Sequence, residues 1–190
     1  MCGIAGIISS NQNIIHPSLL HRMSTALAHR GPDGEAFWIN DSNKVGLAHR
    51  RLAIIDTSEA AAQPMHFAGR YTITYNGEIY NYLELRKDLQ KAGYNFNTKS
   101  DTEVILAAYD LYKEKCLYYF DGMFSFAIWD EKEQQIFAAR DRLGEKPFYY
   151  YTEKYLFVFA SEMKALWAVD IPKQVENKML LNYLTLGNVQ

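Results

Sequence analysis

The sequence predicts an α+β fold in which β-sheets pack on each other with helices outside. Two observations predict it. Short apolar or alternating strand-like segments fall into an early and a late group, and a block of two helical patterns sits between them. The third constraint is size: 190 residues suit one domain burying about 70% of its unfolded surface.

The first strand is the apolar run Ile4, Ala5, Ile7, Ile8, interleaved with Gly3 and Gly6. After a polar cluster at residues 9–13, Pro17 opens a helical pattern with Leu20, Met23 and Leu27 on one face. It ends near His29-Arg30-Gly31-Pro32-Asp33-Gly34, where Asp33 reads first as a turn residue. Strands are expected over 36–39, 45–49, 53–56 and 71–75, the last an alternating Tyr-Thr-Ile-Thr-Tyr broken at Asn76-Gly77. One helix then carries Tyr82, Leu85, Leu89 and Ala92 and stops at Gly93. The next opens on Ser100-Asp101-Thr102-Glu103, a capping-box pattern. Strands at 123–129, 135–140, 147–151 and 155–160 and helices at 162–168 and 177–186 complete the chain, without repeats or low-complexity tracts. The pattern leaves strand order open.

Composition excludes several functions. Twenty basic against 22 acidic residues give a net charge of −2, whereas a broad nucleic-acid surface needs a basic excess. No apolar run approaches the ~18 residues of a membrane span, and no signal peptide is visible. With Cys2 and Cys116 as the two cysteines, a reducing, cytoplasmic setting is expected and a disulfide framework is not. No phosphate-cradling glycine motif and no zinc spacing occurs, so neither a metal nor a cofactor is expected in this chain.

The chemistry-bearing residues each have two readings. Cys2 follows the initiator methionine, and trimming of Met1 would leave a thiol and a free α-amine on one residue. That amine titrates near ~8 and the thiol near ~8.5, so the amine can serve as the base of its own nucleophile. Arg50-Arg51-Leu52 offers a carboxylate fork or an ordinary ion pair with Asp56 or another acid. Asn76-Gly77 is either a hairpin turn or a pair of oxyanion donors, amide side chain and backbone N–H. Glu78 reads as a solvated loop acid and Asp101 as a helix-dipole acid.

Taken together the segments resemble the glutaminase (class II glutamine amidotransferase) domain of glutamine-hydrolysing asparagine synthetases. The matching pieces are Met1-Cys2-Gly3-Ile4-Ala5-Gly6, His29-Arg30-Gly31-Pro32-Asp33, His49-Arg50-Arg51-Leu52-Ala53-Ile54-Ile55-Asp56 and Gln63-Pro64-Met65. They continue through Tyr75-Asn76-Gly77-Glu78-Ile79-Tyr80-Asn81, Ser100-Asp101-Thr102-Glu103, Asp121-Gly122-Met123-Phe124, Ala139-Arg140-Asp141-Arg142-Leu143-Gly144 and Ser161-Glu162-Met163-Lys164.

The resemblance implies an N-terminal-nucleophile fold, a four-layer α-β-β-α sandwich of two antiparallel sheets, over residues 1–170. It implies Cys2 as nucleophile with its α-amine as base, and Asn76 and Gly77 as oxyanion donors. Arg51 would grip the glutamine α-carboxylate, Leu52, Ala53, Ile54 and Ile55 would line the pocket by backbone, and Glu78 and Asp101 would surround the α-ammonium. Glutamine is the implied substrate, hydrolysed through a Cys2 thioester to glutamate and ammonia. Residues 171–190 resemble the opening of a second, synthetase domain; the chain is therefore expected to be part of a longer protein. ATP and magnesium belong to that missing domain, which activates the acceptor, aspartate or another. Two alternatives stay open: a glutaminase serving a different acceptor, and a non-catalytic assembly or regulatory domain of the same fold. A homodimer is open as well. With Met1 retained, the Cys2 nitrogen is an amide and no base, and the chain is expected to be inactive.

Overall fold

The computed structural model describes residues 1–11, 14–52 and 58–187. Among the described residues nine strands form two fully antiparallel sheets. Strands β1 (Gly3–Ser9), β2 (Gly34–Ile39), β3 (Val45–Arg51), β8 (Tyr149–Glu153) and β9 (Leu156–Ala160) make the first, in the order β2-β3-β1-β9-β8. Strands β4 (Met65–Phe67), β5 (Tyr71–Ile79), β6 (Gly122–Asp130) and β7 (Gln135–Arg140) make the second, ordered as numbered.

Side-chain alternation along each strand sorts the core into three layers. Ile4, Val45, Leu47, Ala127, Trp129 and Phe159 meet between the sheets. Ala5, Ile7, Ala48 and Val158 point the other way, onto Leu20 and Met23 of α1 (Pro17–Ala26) and Ala165 and Leu166 of α4 (Met163–Trp167). Ile73, Tyr75, Phe124, Phe126 and Ile128 face Leu85 and Leu89 of α2 (Tyr82–Lys91) and Val104, Ile105 and Ala108 of α3 (Asp101–Tyr112). The result is helix, sheet, sheet, helix. The exception is α5 (Asn177–Leu186), which has no buried residue and leaves Leu181, Leu184 and Leu186 exposed.

Two elements depart from expectation. The chain does not break at Asn76-Gly77: β5 runs straight through and pairs with β6 from Tyr71↔Asp130 to Ile79↔Gly122. The nine-residue ladder overrides the local turn preference of Asn-Gly. The Ser100 hydroxyl accepts from Thr102 N–H at 3.1 Å as a cap should. Glu103, however, does not return to the Ser100 N–H but accepts from Asn97 N, Thr98 N and Thr98 Oγ1 at 2.8–3.1 Å. Thr98 Oγ1 in turn takes the Ser100 N–H at 3.1 Å, so the box closes through a relay. The strand expected at 53–56 lies outside the described residues.

Phe126 is fully buried against three aromatic partners, Phe120, Phe124 and Phe137, whereas Tyr118 is 80% exposed. Phe126→Ala is expected to lower unfolding stability by about 3–5 kcal/mol and Tyr118→Ala by less than about 0.5 kcal/mol, read by urea denaturation. Similar values for both would contradict this assignment of the core.

Candidate active site

The site begins where β1 begins. Gly3 pairs with Arg50, so Cys2 stands one step beyond, beside the end of β3. Its sulfur is docked on the backbone of one residue: Leu52 N–H donates to Sγ at 3.3 Å, and Leu52 O lies 3.5 Å from it. The Cys2 carbonyl accepts from Arg30 Nε at 3.0 Å, and Arg30 Nη1 is held by Glu162 Oε1 at 3.0 Å. Gly31 is what lets this loop lie on β3, because a Cβ there would fall 2.4 Å from the Arg50 carbonyl carbon. Next to Glu162, Ser161 Oγ takes the Ile4 N–H at 3.0 Å and Ser161 N–H donates to Ile4 O at 2.9 Å. The nucleophile candidate is thus fixed from both flanks.

Alternation decides which residues reach it from the second sheet. Thr74 Oγ1 donates across to Ala48 O at 3.1 Å, so Asn76, two residues on, shares that inter-sheet face. Tyr75 points the opposite way and donates from its hydroxyl to Asp101 Oδ2 at 2.6 Å. Asp101 also takes the Ile79 N–H at 3.0 Å. Gly77 pairs with Phe124, and a Cβ at 77 would lie 2.3 Å from Met123 O; a side chain there would push the sheet apart.

Cys2, Arg51, Leu52, Asn76, Gly77, Glu78 and Asp101 line one open cleft. Of the residues expected at the site, Ala53, Ile54 and Ile55 lie outside the described residues. The adjacent arginines divide as strand alternation requires. Arg50 turns to the helix layer, onto Glu35 at 3.0 Å and Ser24 O at 3.1 Å. Arg51 turns to the cleft, with Nη2 donating to Ser58 O at 2.8 Å. The ordinary ion pair is thus made by Arg50, with Glu35, while Arg51 lines the cleft. Cys116 is fully buried, away from this cleft.

The cleft contains polar residues the motifs did not single out: His49, Gln63, Tyr75, Thr102 and Lys146. Gln63 Oε1 takes the Tyr75 N–H at 2.6 Å and secures the strand that carries Asn76. Of the buried side-chain polar atoms without a hydrogen-bond partner among the described residues, two belong to residues lining this cleft, Asn76 Nδ2 and His49 Nε2. An unpaired buried donor costs about 1–3 kcal/mol and marks a position prepared for an acceptor.

Burial dominates the electrostatics. It pushes the Cys2 thiol up, against the pull of the Leu52 N–H, the chain's amino terminus, Arg51 and Arg30. Burial also raises the Asp101 carboxyl, partly offset by the Tyr75 hydroxyl and the Ile79 N–H. Glu162 goes the other way: its desolvation is outweighed by Lys164, Arg30 and His29, which bring it to about 2. His49 falls to about 4 through burial and the Arg51 charge, despite donating to the Tyr75 carbonyl. Among the described residues no cluster of histidine, cysteine or acid side chains could hold a metal ion, and no helix is long and apolar enough to cross a membrane.

With this geometry in place, comparison with known proteins decides the family. The glutamine amidotransferase domain family matches residues 1–190. The chain belongs to the glutamine amidotransferase family. Among curated relatives, an asparagine synthetase [glutamine-hydrolyzing] 3 of Bacillus subtilis is 42% identical over 98% of this chain and 31% of its own length. A putative asparagine synthetase 2 of Methanocaldococcus jannaschii is also 42% identical, over 98% of this chain and 39% of its own. The chain thus spans about a third of the length of these two relatives. The solved structure of a Bacillus subtilis glutamine phosphoribosylpyrophosphate amidotransferase superposes with a TM-score of 0.75 at 22% identity, covering 89% of this chain and 44% of that one. That likeness supports the fold described above, two antiparallel sheets between helical layers.

His49 supplies a test of the site's electrostatics. Its ring is 3% exposed and its folded value of about 4 lies below the unfolded 6.5, so between these values the unfolded chain binds more protons. Stability therefore falls as pH drops from 6.5 towards 4, by about 3 kcal/mol from this residue. In urea titrations the stability difference between wild type and His49→Gln should narrow by that order across this window. A difference independent of pH would contradict a buried, neutral His49.

Proposed function

We propose that this domain hydrolyses L-glutamine to glutamate and ammonia through a thioester on Cys2, and that the ammonia serves an ATP-dependent synthetase domain following residue 170. The observation that carries the reading is Asn76 Nδ2, a buried donor without a partner among the described residues, in the cleft that holds the Cys2 sulfur. A tetrahedral oxyanion would supply the acceptor that this donor lacks, with the Gly77 N–H beside it.

The chemistry then runs on the chain's own groups. With Met1 removed, the Cys2 α-amine takes the thiol proton and sulfur attacks the side-chain amide carbon. The C–N bond breaks as the oxyanion collapses, and the amine's proton leaves with the nitrogen as ammonia. Water, deprotonated by the same amine, attacks the thioester and returns glutamate and the thiol. Arg51 would hold the α-carboxylate, while Glu78 and Asp101 would face the α-ammonium; one cation and two acids select free glutamine over a glutamine inside a peptide. The backbone of residues 52–55 would complete the pocket.

Family membership and the synthetase relatives favour aspartate as the eventual acceptor, with ATP and magnesium bound in the following domain. Residues 171–190, where α5 exposes its leucines, would begin that domain. We place the protein in the cytoplasm.

Glutamate release by a chain that starts at Cys2 tests the proposal. Cys2→Ala is expected to abolish it, Asn76→Ala to lower kcat by about 10²–10³, and retention of Met1 to silence the wild type. Undiminished release by Cys2→Ala would refute the mechanism.

A further inference from the structure

Lys146 is a buried lysine, 5% exposed, on the wall of the same cleft. It forms no ion pair among the described residues, and its ammonium meets the thioether of Met1, with Nζ 2.9 Å from Sδ. A buried, unpaired cation is costly, and its ammonium's hydrogen-bond partner among the described residues is the residue that maturation would remove.

The turn that presents Lys146 is rigidly built. Asp141, itself 6% exposed, accepts from Phe124 N at 3.3 Å and Lys146 N at 2.9 Å through Oδ2, and from Glu145 N at 2.8 Å through Oδ1. Arg140 Nε donates to Lys146 O at 2.7 Å, and Arg140 also reaches Gly144 O. Gly144 closes the turn at φ +69°, in the left-handed region open to glycine. Sheet and turn together aim the side chain at the amino terminus.

We infer that Lys146 is an electrostatic positioning residue for the mature terminus: once Met1 is gone, its ammonium faces the Cys2 amine and sulfur, keeps the amine unprotonated and favours the thiolate. The inference rests on the terminal-nucleophile chemistry proposed above. Covalent geometry bounds the distance, since Met1 Sδ is five bonds from the Cys2 nitrogen, so Nζ lies within about 9 Å of it. The other charges around Cys2 are Arg30 from the turn after α1, Arg51 from β3, Glu78 from β5 and Asp101 from α3. His49 of β3 is neutral above about pH 4. Arg30 is tied to Glu162 and Arg51 donates to the Ser58 carbonyl, whereas Lys146 has no carboxylate partner among the described residues. Removing one positive charge at this distance moves both coupled titrations of the amine and thiol upward by about half to one pH unit at low ionic strength.

The test uses this chain released from a cleavable leader so that Cys2 comes first, as wild type, Lys146→Met, Lys146→Gln and Lys146→Arg. Iodoacetamide alkylation of Cys2 is followed by mass spectrometry from pH 5 to 10, with kcat/KM for glutamate release measured in parallel. The expected result is a rise of about half to one pH unit in the alkylation midpoint and in the acid limb of kcat/KM for both neutral variants. Lys146→Arg should keep the wild-type midpoint. Coincident midpoints in all four, or a uniform loss of rate with no shift, would overturn the inference and leave Lys146 a structural residue. Shifted midpoints without glutamate release from any form would support the inference while refuting the glutaminase reading, because alkylation needs no glutamine.

Discussion

Pairing of β1 with β3 on one side and β9 on the other takes the amino end of the chain, ordinarily its loosest part, into the middle of a five-stranded sheet. The rest of the site depends on that constraint. A residue at the start of β1 inherits the order of the sheet, so Cys2 can be held by single contacts from distant segments: Leu52 on its sulfur, Arg30 on its carbonyl, and Ser161 on Ile4, two residues further. The second sheet brings Asn76 to the same place because β5 is long and unbroken. Neither sheet alone makes the cleft.

The charge arrangement follows from the same packing. Arg51 and Lys146 sit on one cleft with Glu78 and Asp101, a mixture suited to a small zwitterion and unsuited to a polyanion. Glu162 lies outside the cleft and serves it at one remove. It binds Arg30, His29 and Lys164 at 2.9–3.0 Å, and through Arg30 it braces the Cys2 main chain. Burial raises the thiol, so a base and nearby cations are needed to generate a thiolate near neutral pH.

Much of this was legible in the sequence, for physical reasons that differ from element to element. The helices announced themselves by period: Pro17 and the face Leu20, Met23, Leu27 for α1, and Gly93 after Leu89 for α2. Strand β4 did not, because three residues flanked by loops carry too little alternation. Asn76-Gly77 misled locally, since turn propensity is a property of the dipeptide and the ladder with β6 is not. The convergence of Cys2, Arg51, Asn76, Glu78 and Asp101 is a consequence of strand order, which periodicity cannot supply; the resemblance to a known family carried it. Glu162 stood in a matching segment without a role of its own, and Lys146 in none. Each acquires meaning from what folding places beside it, the Arg30 guanidinium in one case and the chain terminus in the other.

In the proposed reaction Cys2, as first residue, forms an acyl bond with glutamine. Its most direct test is rapid acid quenching of the mature chain with glutamine, followed by peptide mass spectrometry of the amino-terminal segment. The expected result is a γ-glutamyl thioester on Cys2 that decays as glutamate appears and accumulates less in Asn76→Ala. Glutamate formed at full rate with no adduct on Cys2, or an adduct on any other residue, would contradict it.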